Sequence, residues 1–169
     1  MKSIEILFLA LVLLFISCNS NNQVLSTLSG DNGINYNESH DMWVEMKNEN
    51  GNSYKYQSSF QSWVGFGDIT EVDVEEGVVI ARNYTAFIFN DLTNMRETTT
   101  TYNEVSNQIG ANQEGAPPLT IDELYQSCSG EFLKVNRSNN TLYFESNDSG
   151  LMKTCGYVCL LYTSPSPRD

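Results

Sequence analysis

The chain has 169 residues and a formal net charge of −12, with 40% hydrophobic and 18% charged residues. A chain of this length is typical of one domain and can bury a substantial core, since a domain of about 150 residues hides roughly 68–70% of its unfolded surface. The hydrophobic share and the many aromatic residues (nine Tyr, eight Phe, two Trp) exclude a disordered chain. The excess of acidic residues argues against a nucleic-acid partner, because phosphate contacts need clustered Lys and Arg.

The first residues predict export. Lys2 is the only basic residue before a continuous apolar run at 6–16, which is far shorter than the ~20 residues that span a bilayer. We therefore interpret residues 1–17 as a signal peptide.

The residues around Cys18 resemble a bacterial lipobox, in which a small residue precedes the cysteine that receives the lipid. Here Ser17 precedes Cys18, although Phe15 stands where Leu is usual. Acyl chains on Cys18 would anchor the protein stably to a membrane, at ~0.8 kcal/mol per buried CH₂. The prediction is a lipid-anchored protein of the cell envelope. The alternative is ordinary cleavage nearby and secretion, with Cys18 removed or left free.

Two further segments lie outside the predicted domain. Residues 18–38 combine the lipidated cysteine with a stretch rich in Asn, Ser and Gly, which predicts a flexible tether. Residues 159–169 resemble the translation of an adapter used in sequencing libraries, and the Ser-Pro repeat there cannot continue a strand. We expect this tail to be non-native, or else a short native tail, and we expect a single, truncated domain over 39–158.

Two cysteines remain inside that domain. In an exported protein Cys128 and Cys155 can form a disulfide, which closes a loop of about 28 residues and is worth roughly 3 kcal/mol. Cysteines beyond a truncated end would be alternative partners. Zinc is not expected, because the chain has no CxxC and its sole histidine is His40.

The first half of the domain predicts one helix, two strands and a hairpin. A helix over 37–50, capped by Asn37 or Ser39, is followed by an alternating strand over 53–60. Residues 70–74 and 78–82 are predicted to pair around a tight turn in which Gly77 takes a positive φ.

An aromatic corner lies between these strands, at residues 63–67. Trp63 and Phe66 are flanked by glycine, and aromatic residues of this kind anchor interfaces well. We keep two interpretations open, a recognition loop formed by Trp63 and Phe66, and ordinary packing in a corner of the core.

The second half contains the strongest local signal. Thr120 and Glu123 form a capping box ahead of an apolar helical face that ends at Gly130. Segments 132–135, 141–145 and 151–158 are then predicted to form an antiparallel meander. The predicted fold class is α+β, an antiparallel sheet of five to seven strands with two short helices on one face.

Several of these motifs recur together in one order. They are the Tyr54-Lys55-Tyr56 strand, the hairpin with its Glu76-Gly77 turn, the helix start at 120–125, and the strands at 140–144 and 155–158. Over residues 42–158 the chain resembles a family of small exported or lipoprotein domains of unknown function. The resemblance implies a fold and an extracytoplasmic location, and it implies no catalytic residues.

Chemical motifs are weak. His40 lies at a predicted helix start, where a surface or capping role is favoured over catalysis. The carboxylates of the first hairpin (Glu71, Asp73, Glu75 and Glu76) favour a solvated strand face, with weak Ca²⁺ binding as the alternative. We predict no catalytic residue, metal or cofactor, and a binding or structural module whose partner is a protein or a small ligand. The alternative is a secreted enzyme or inhibitor domain whose decisive residues lie beyond the end of the chain.

Overall fold

The computed structural model describes residues 20–90, 92–93 and 95–160. The predicted signal peptide, the lipidation site Cys18 and residues 161–169 lie outside the described residues. Within the described ranges, no helix is long and apolar enough to cross a membrane.

The described chain contains three α-helices, two short 3₁₀ helices and six strands. The helices are α1 (Ser20–Thr27), α2 (Tyr36–Glu49) and α3 (Ile121–Gly130), with 3₁₀ turns at Ser106–Gln108 and Phe132–Lys134. The strands are β1 (Tyr54–Gln61), β2 (Phe66–Glu75), β3 (Val78–Asn90), β4 (Met95–Val105), β5 (Asn140–Ser146) and β6 (Met152–Cys159). The predicted α+β class is confirmed.

The sheet arrangement differs from the prediction. Instead of one sheet of five to seven strands, the structure has a four-stranded sheet in the order β1-β2-β3-β4 and a separate two-stranded sheet of β5 and β6. All pairs are antiparallel. The segment predicted as a strand at 132–135 forms a 3₁₀ turn instead. The prediction was wrong here because so short an apolar run does not by itself distinguish a strand from a helical turn.

The described chain divides into two compact units. One unit is His40–Cys128, and the other comprises the described residues before His40 and after Cys128, namely 20–39 and 129–160.

The unit at His40–Cys128 is built on the four-stranded sheet. Val72 and Val74 of β2 are fully buried on one face, and the edge of the Trp43 ring of α2 meets the Tyr54 ring of β1 at 4.8 Å between centroids. Asp122, in the first turn of α3, accepts hydrogen bonds from Lys47 Nζ at 2.6 Å and from Trp43 Nε1 at 3.3 Å. These bonds join the two helices over that face.

The first hairpin is confirmed. Strands β2 and β3 pair up to Glu75 and Val78, and the two turn residues Glu76 and Gly77 both have positive φ, at 49° and 81°. Two positive φ values match the right-handed twist of the flanking strands, and glycine takes such a value without steric cost.

The other unit contains α1, the start of α2 and the β5–β6 hairpin. Its buried apolar side chains include Val24, Leu133 and Phe144, and the Tyr36 ring packs edge-on against Phe144 at 5.8 Å between centroids. The segment predicted to be a flexible tether thus contains a helix, α1, and an isolated bridge between Ser29 and Asn35.

Helix α2 starts slightly earlier than predicted. Its cap is Asn35, not Asn37 or Ser39: Asn35 Oδ1 accepts the Glu38 N–H at 3.1 Å, and Glu38 Oε2 accepts the Asn35 N–H at 3.0 Å. This is a capping box with Asn in place of Ser or Thr.

Candidate functional site

Seven large apolar side chains meet at one end of the four-stranded sheet and remain in contact with water. We call this set the apolar tip. Its members are Phe60, Trp63, Val64, Phe66, Ile88, Leu92 and Met95. Trp63 is 97% exposed and Leu92 is 96% exposed, and the other five are about half exposed.

The register of the strands explains why the tip is contiguous. Phe66 pairs with Ile88, and Asn90 pairs with Met95, so the turns after β1 and after β3 lie at the same end of the sheet. Cross-strand partners and residues two apart share a face, which places Phe60, Phe66, Ile88 and Met95 on one face. The Phe60 and Phe66 rings are 6.0 Å apart between centroids.

The turn that carries Trp63 is closed by short hydrogen bonds. Ser62 N–H donates to Phe66 O at 2.8 Å, and Gly65, at φ 90°, accepts at its carbonyl the Phe89 N–H at 2.6 Å. The backbone around Trp63 and Val64 is therefore fixed to β3, while their side chains extend into solvent.

The turn that carries Leu92 is held by a side chain. Asn90 Oδ1 accepts the N–H of Leu92 at 2.9 Å and that of Thr93 at 3.2 Å. Asparagine commonly stabilises a turn by this local bond to the backbone.

On the opposite face of the sheet, behind the tip, the side chains are closely packed. The buried Phe87 ring lies over Gly67 and against Phe89, and a side chain at Gly67 would clash with that ring. The Arg96 guanidinium stacks over Phe87 at 4.5 Å. A cation over an aromatic ring is favourable, so Arg96 is engaged on this opposite face, away from the apolar tip.

Asp68 is the acidic residue of β2 nearest to the tip. It pairs with Phe60 across β1–β2 and with Ala86 across β2–β3. Partial burial among these neighbours raises the pKa of the Asp68 carboxyl above its usual value of 3.8, because desolvation disfavours the charged form.

A buried ion pair lies further along the same face. Arg82 and Glu104 are each 1% exposed, and Arg82 Nη1 lies 3.0 Å from Glu104 Oε2. Three further guanidinium hydrogens are donated to the carbonyl oxygens of Asn112, Glu114 and Ala116. The pair therefore fastens the loop over residues 106–120 onto the sheet.

Glu104 is satisfied from the loop as well. It accepts the N–H of Gly110 and of Asn112, each at 2.7 Å. Burial alone would raise the pKa of Glu104, but these N–H bonds and the Arg82 pair together lower it to about 2. The cluster thus holds a carboxylate and a guanidinium in fixed positions through many hydrogen bonds, and we call it the structural clasp.

Sequence reasoning missed this clasp because its partners are far apart in the chain. A bulge between Asp73 and Val74 also interrupts the alternation of β3, which would otherwise have placed Arg82 on the outer face; the bulge brings Arg82 opposite the buried Val72.

The acidic hairpin is an ion-paired surface. Lys55 Nζ lies 3.0 Å from both Glu71 Oε1 and Asp73 Oδ1, so this cation already occupies the space between the two carboxylates. Among the described residues, no group of three or more His, Cys, Asp or Glu side chains could hold a metal ion.

The remaining predicted residues lie apart from the tip along the chain. His40 is half-buried, with its ring edge-on to Tyr125 at 5.2 Å. Cys128 and Cys155 are both disulfide-bonded, whereas Cys159 is a free thiol. Cys159, which the sequence places in the suspected tail, ends β6 opposite Asn140.

Comparison with protein-family models, with curated proteins and with solved structures finds no match to this chain.

Proposed function

We propose that this protein is an exported component of the bacterial cell envelope, anchored through an acylated Cys18, and that the apolar tip is its binding surface. The proposal keeps the predicted recognition residues Trp63 and Phe66 and extends them to the turn that carries Leu92. One observation carries it: two adjacent turns each hold a large apolar side chain almost wholly in water.

The energetics support a binding role for these side chains. Burying a side chain such as Leu92 away from water is favourable by roughly 1.5–3 kcal/mol. In the free protein several tip side chains remain exposed, so a partner that buries them gains this free energy at several positions. Single exposed apolar residues are ordinary, but a contiguous patch of them marks an interaction site.

The construction of the tip also supports binding. Hydrogen bonds to strand residues fix the backbone of both turns. Gly65 O in the first turn accepts the Phe89 N–H, and Asn90 Oδ1 accepts the Leu92 N–H in the second. A preorganised surface loses less conformational entropy when it meets a partner. Tryptophan is one of the residue types enriched among interface anchors.

Hydroxyl-radical footprinting in the envelope of a bacterial host tests the proposal. The full chain is oxidised in isolated envelopes and again as purified protein, and oxidation of Trp63 and Met95 is read by mass spectrometry. We expect both residues to be protected several-fold in the envelope, with the half-exposed Tyr157 as an internal reference outside the tip. Equal oxidation of Trp63 in the two samples would overturn the proposed binding surface.

A Cys18→Ser variant tests the anchoring part in the same samples. We expect wild type to incorporate labelled fatty acid and Cys18→Ser to incorporate none, with Cys159→Ser as the matched cysteine control. Incorporation that persists in Cys18→Ser contradicts anchoring through this residue.

A further inference from the structure

We propose that the partner of the apolar tip is a phospholipid bilayer, into whose interface Trp63 and Leu92 insert. This inference rests on the proposed function and names the chemistry of its partner.

The composition of the tip suits a bilayer interface. Residues 61–67 contain no charged side chain, and their polar members, Gln61 and Ser62, are neutral. Tryptophan concentrates at membrane–water interfaces, where its ring is covered by hydrocarbon and its N–H remains near the headgroups. Leu92 supplies the aliphatic side chain that inserts beside it.

The form of the tip also favours a bilayer over a protein. Trp63 and Leu92 stand at the ends of two turns and are exposed over nearly their whole surface. Ser62, Gly65 and Thr93 in the same two turns are small, so they do not form the rim of residues that shields the anchors of a protein interface from water, and Asp91, which directly precedes Leu92 in the sequence, is the one charged residue among these neighbours. Side chains projecting from turn ends can enter a fluid phase without a shaped pocket to receive them.

The distribution of charge is consistent with this orientation. The turn acids Glu75 and Glu76 lie at the opposite end of β2, a strand of ten residues, and therefore about 30 Å from the tip. Glu71 and Asp73 lie in that half of the strand and pair with Lys55. With the tip inserted, these four carboxylates lie away from the headgroups, so they do not oppose insertion.

Few charged groups remain close to the tip, and Asp91, which directly precedes Leu92 in the sequence, is one of them. Asp68 and Glu97 are the acids that pair with tip residues, opposite Phe60 and Ile88 respectively. Arg96 is stacked on Phe87 and Phe89 on the other face. Without a basic cluster, insertion must be driven by apolar burial, so it should occur on zwitterionic lipid and gain nothing from anionic lipid.

The test reads the position of Trp63 itself, in the full chain reconstituted with phosphatidylcholine vesicles. Lipids brominated in their acyl chains quench only indoles that enter the bilayer, and acrylamide quenches only those left in water. The emission of wild type minus that of Trp63→Phe isolates Trp63, because the second tryptophan, Trp43, is buried. We expect brominated lipid to remove at least about half of the Trp63 emission, as for an indole at interfacial depth.

Matched variants show whether the tip drives insertion. Leu92→Ser should lower the ratio of inserted to free tip roughly tenfold, the cost of losing one buried leucine side chain. Val78→Ser removes another exposed apolar side chain, at the opposite end of the sheet, and should leave quenching unchanged. Stronger quenching on addition of phosphatidylglycerol, or an equal loss in both variants, would overturn insertion by apolar burial.

The result also separates this inference from the proposed function. In one outcome, acrylamide still quenches Trp63 on vesicles while Trp63 is protected from radicals in the envelope. That combination would overturn the inference of a bilayer partner and would indicate a protein or glycan partner instead. Trp63 that stays open in both experiments overturns the inference and the proposed function together.

Discussion

Arg82 and Glu104 show how two buried charges hold a long loop in place. Each makes several hydrogen bonds, most of them to backbone groups of residues 110–116. Removing one member of such a pair leaves the other charge buried and unpaired, which typically costs about 3–5 kcal/mol. Replacing both by apolar residues removes that penalty, although the loop carbonyls then lose their donors.

The low pKa of Glu104 makes the stability of this unit depend on pH. The carboxyl binds a proton near its ordinary 4.5 when unfolded but only near about 2 when folded. Its contribution is therefore fully present above pH 4.5 and is lost as the pH falls through about 2. We expect the free energy of unfolding, measured in urea by Trp43 emission in a Trp63→Phe background, to fall over this range.

Glu104→Gln isolates the contribution of this carboxylate. The variant should be less stable at pH 7 by about 3 kcal/mol or more, and the difference from wild type should shrink as the pH approaches 2. Glu97→Gln, an exposed position on the same strand, is the control and should keep the wild-type profile. A constant difference between Glu104→Gln and wild type from pH 7 to pH 2 would contradict the assigned pKa.

At the scale of the element, the start of α3 is the feature that the sequence predicts most directly. Glu123 N–H donates to Thr120 Oγ1 at 3.2 Å, and Thr120 N–H donates to Glu123 Oε2 at 2.7 Å. Both bonds satisfy donors that a helix or its flanking turn would otherwise leave to solvent.

Substitution of the cap tests this element. Thr120→Ala should lower the free energy of unfolding by about 1 kcal/mol, the usual cost of losing a threonine N-cap. Thr120→Ala/Glu123→Ala should cost less than the sum of the single changes, because each residue completes the other's bond. Ser149→Ala, an exposed turn position, serves as the control. A Thr120→Ala variant as stable as wild type in urea would contradict the role of the cap.

Local signals of this kind were predictable, and non-local pairing was not. The capping box and the Glu76-Gly77 turn depend on residues within a few positions, and both are found as predicted. The division into a four-stranded and a two-stranded sheet depends on which strands pair with one another. The alternation of apolar and polar residues along each strand does not specify that pairing.

The candidate site divides in the same way. Trp63 and Phe66 stand out in the sequence, because glycines flank an aromatic pair at a corner. Leu92 and Met95 do not, since they join the tip only when Phe66 pairs with Ile88 and brings the second turn alongside the first. The clasp at Arg82 was missed for a related reason, because the bulge beside Val74 shifts the face on which Arg82 lies.

At the scale of the whole molecule, the cysteines set the covalent connectivity. Cys128 and Cys155 are both disulfide-bonded in the structure, and we predict that they bond to each other. A cross-link that closes a loop of about 28 residues stabilises mainly by restricting the unfolded chain, by about 3 kcal/mol. If the two form one bond, losing either partner costs the same as losing both.

Cysteine-to-serine variants of the full chain test this pairing. Cys128→Ser, Cys155→Ser and the double variant should each lower the free energy of unfolding by about 3 kcal/mol, and reduction of wild type should reproduce that loss. Cys159→Ser, which removes the free thiol, should leave the free energy of unfolding unchanged. Adding Cys159→Ser to any of the other variants should not change their stability either. Single-variant losses that add in the double variant would show that Cys128 and Cys155 have different partners. Mass spectrometry of the non-reduced peptides would then identify those partners directly.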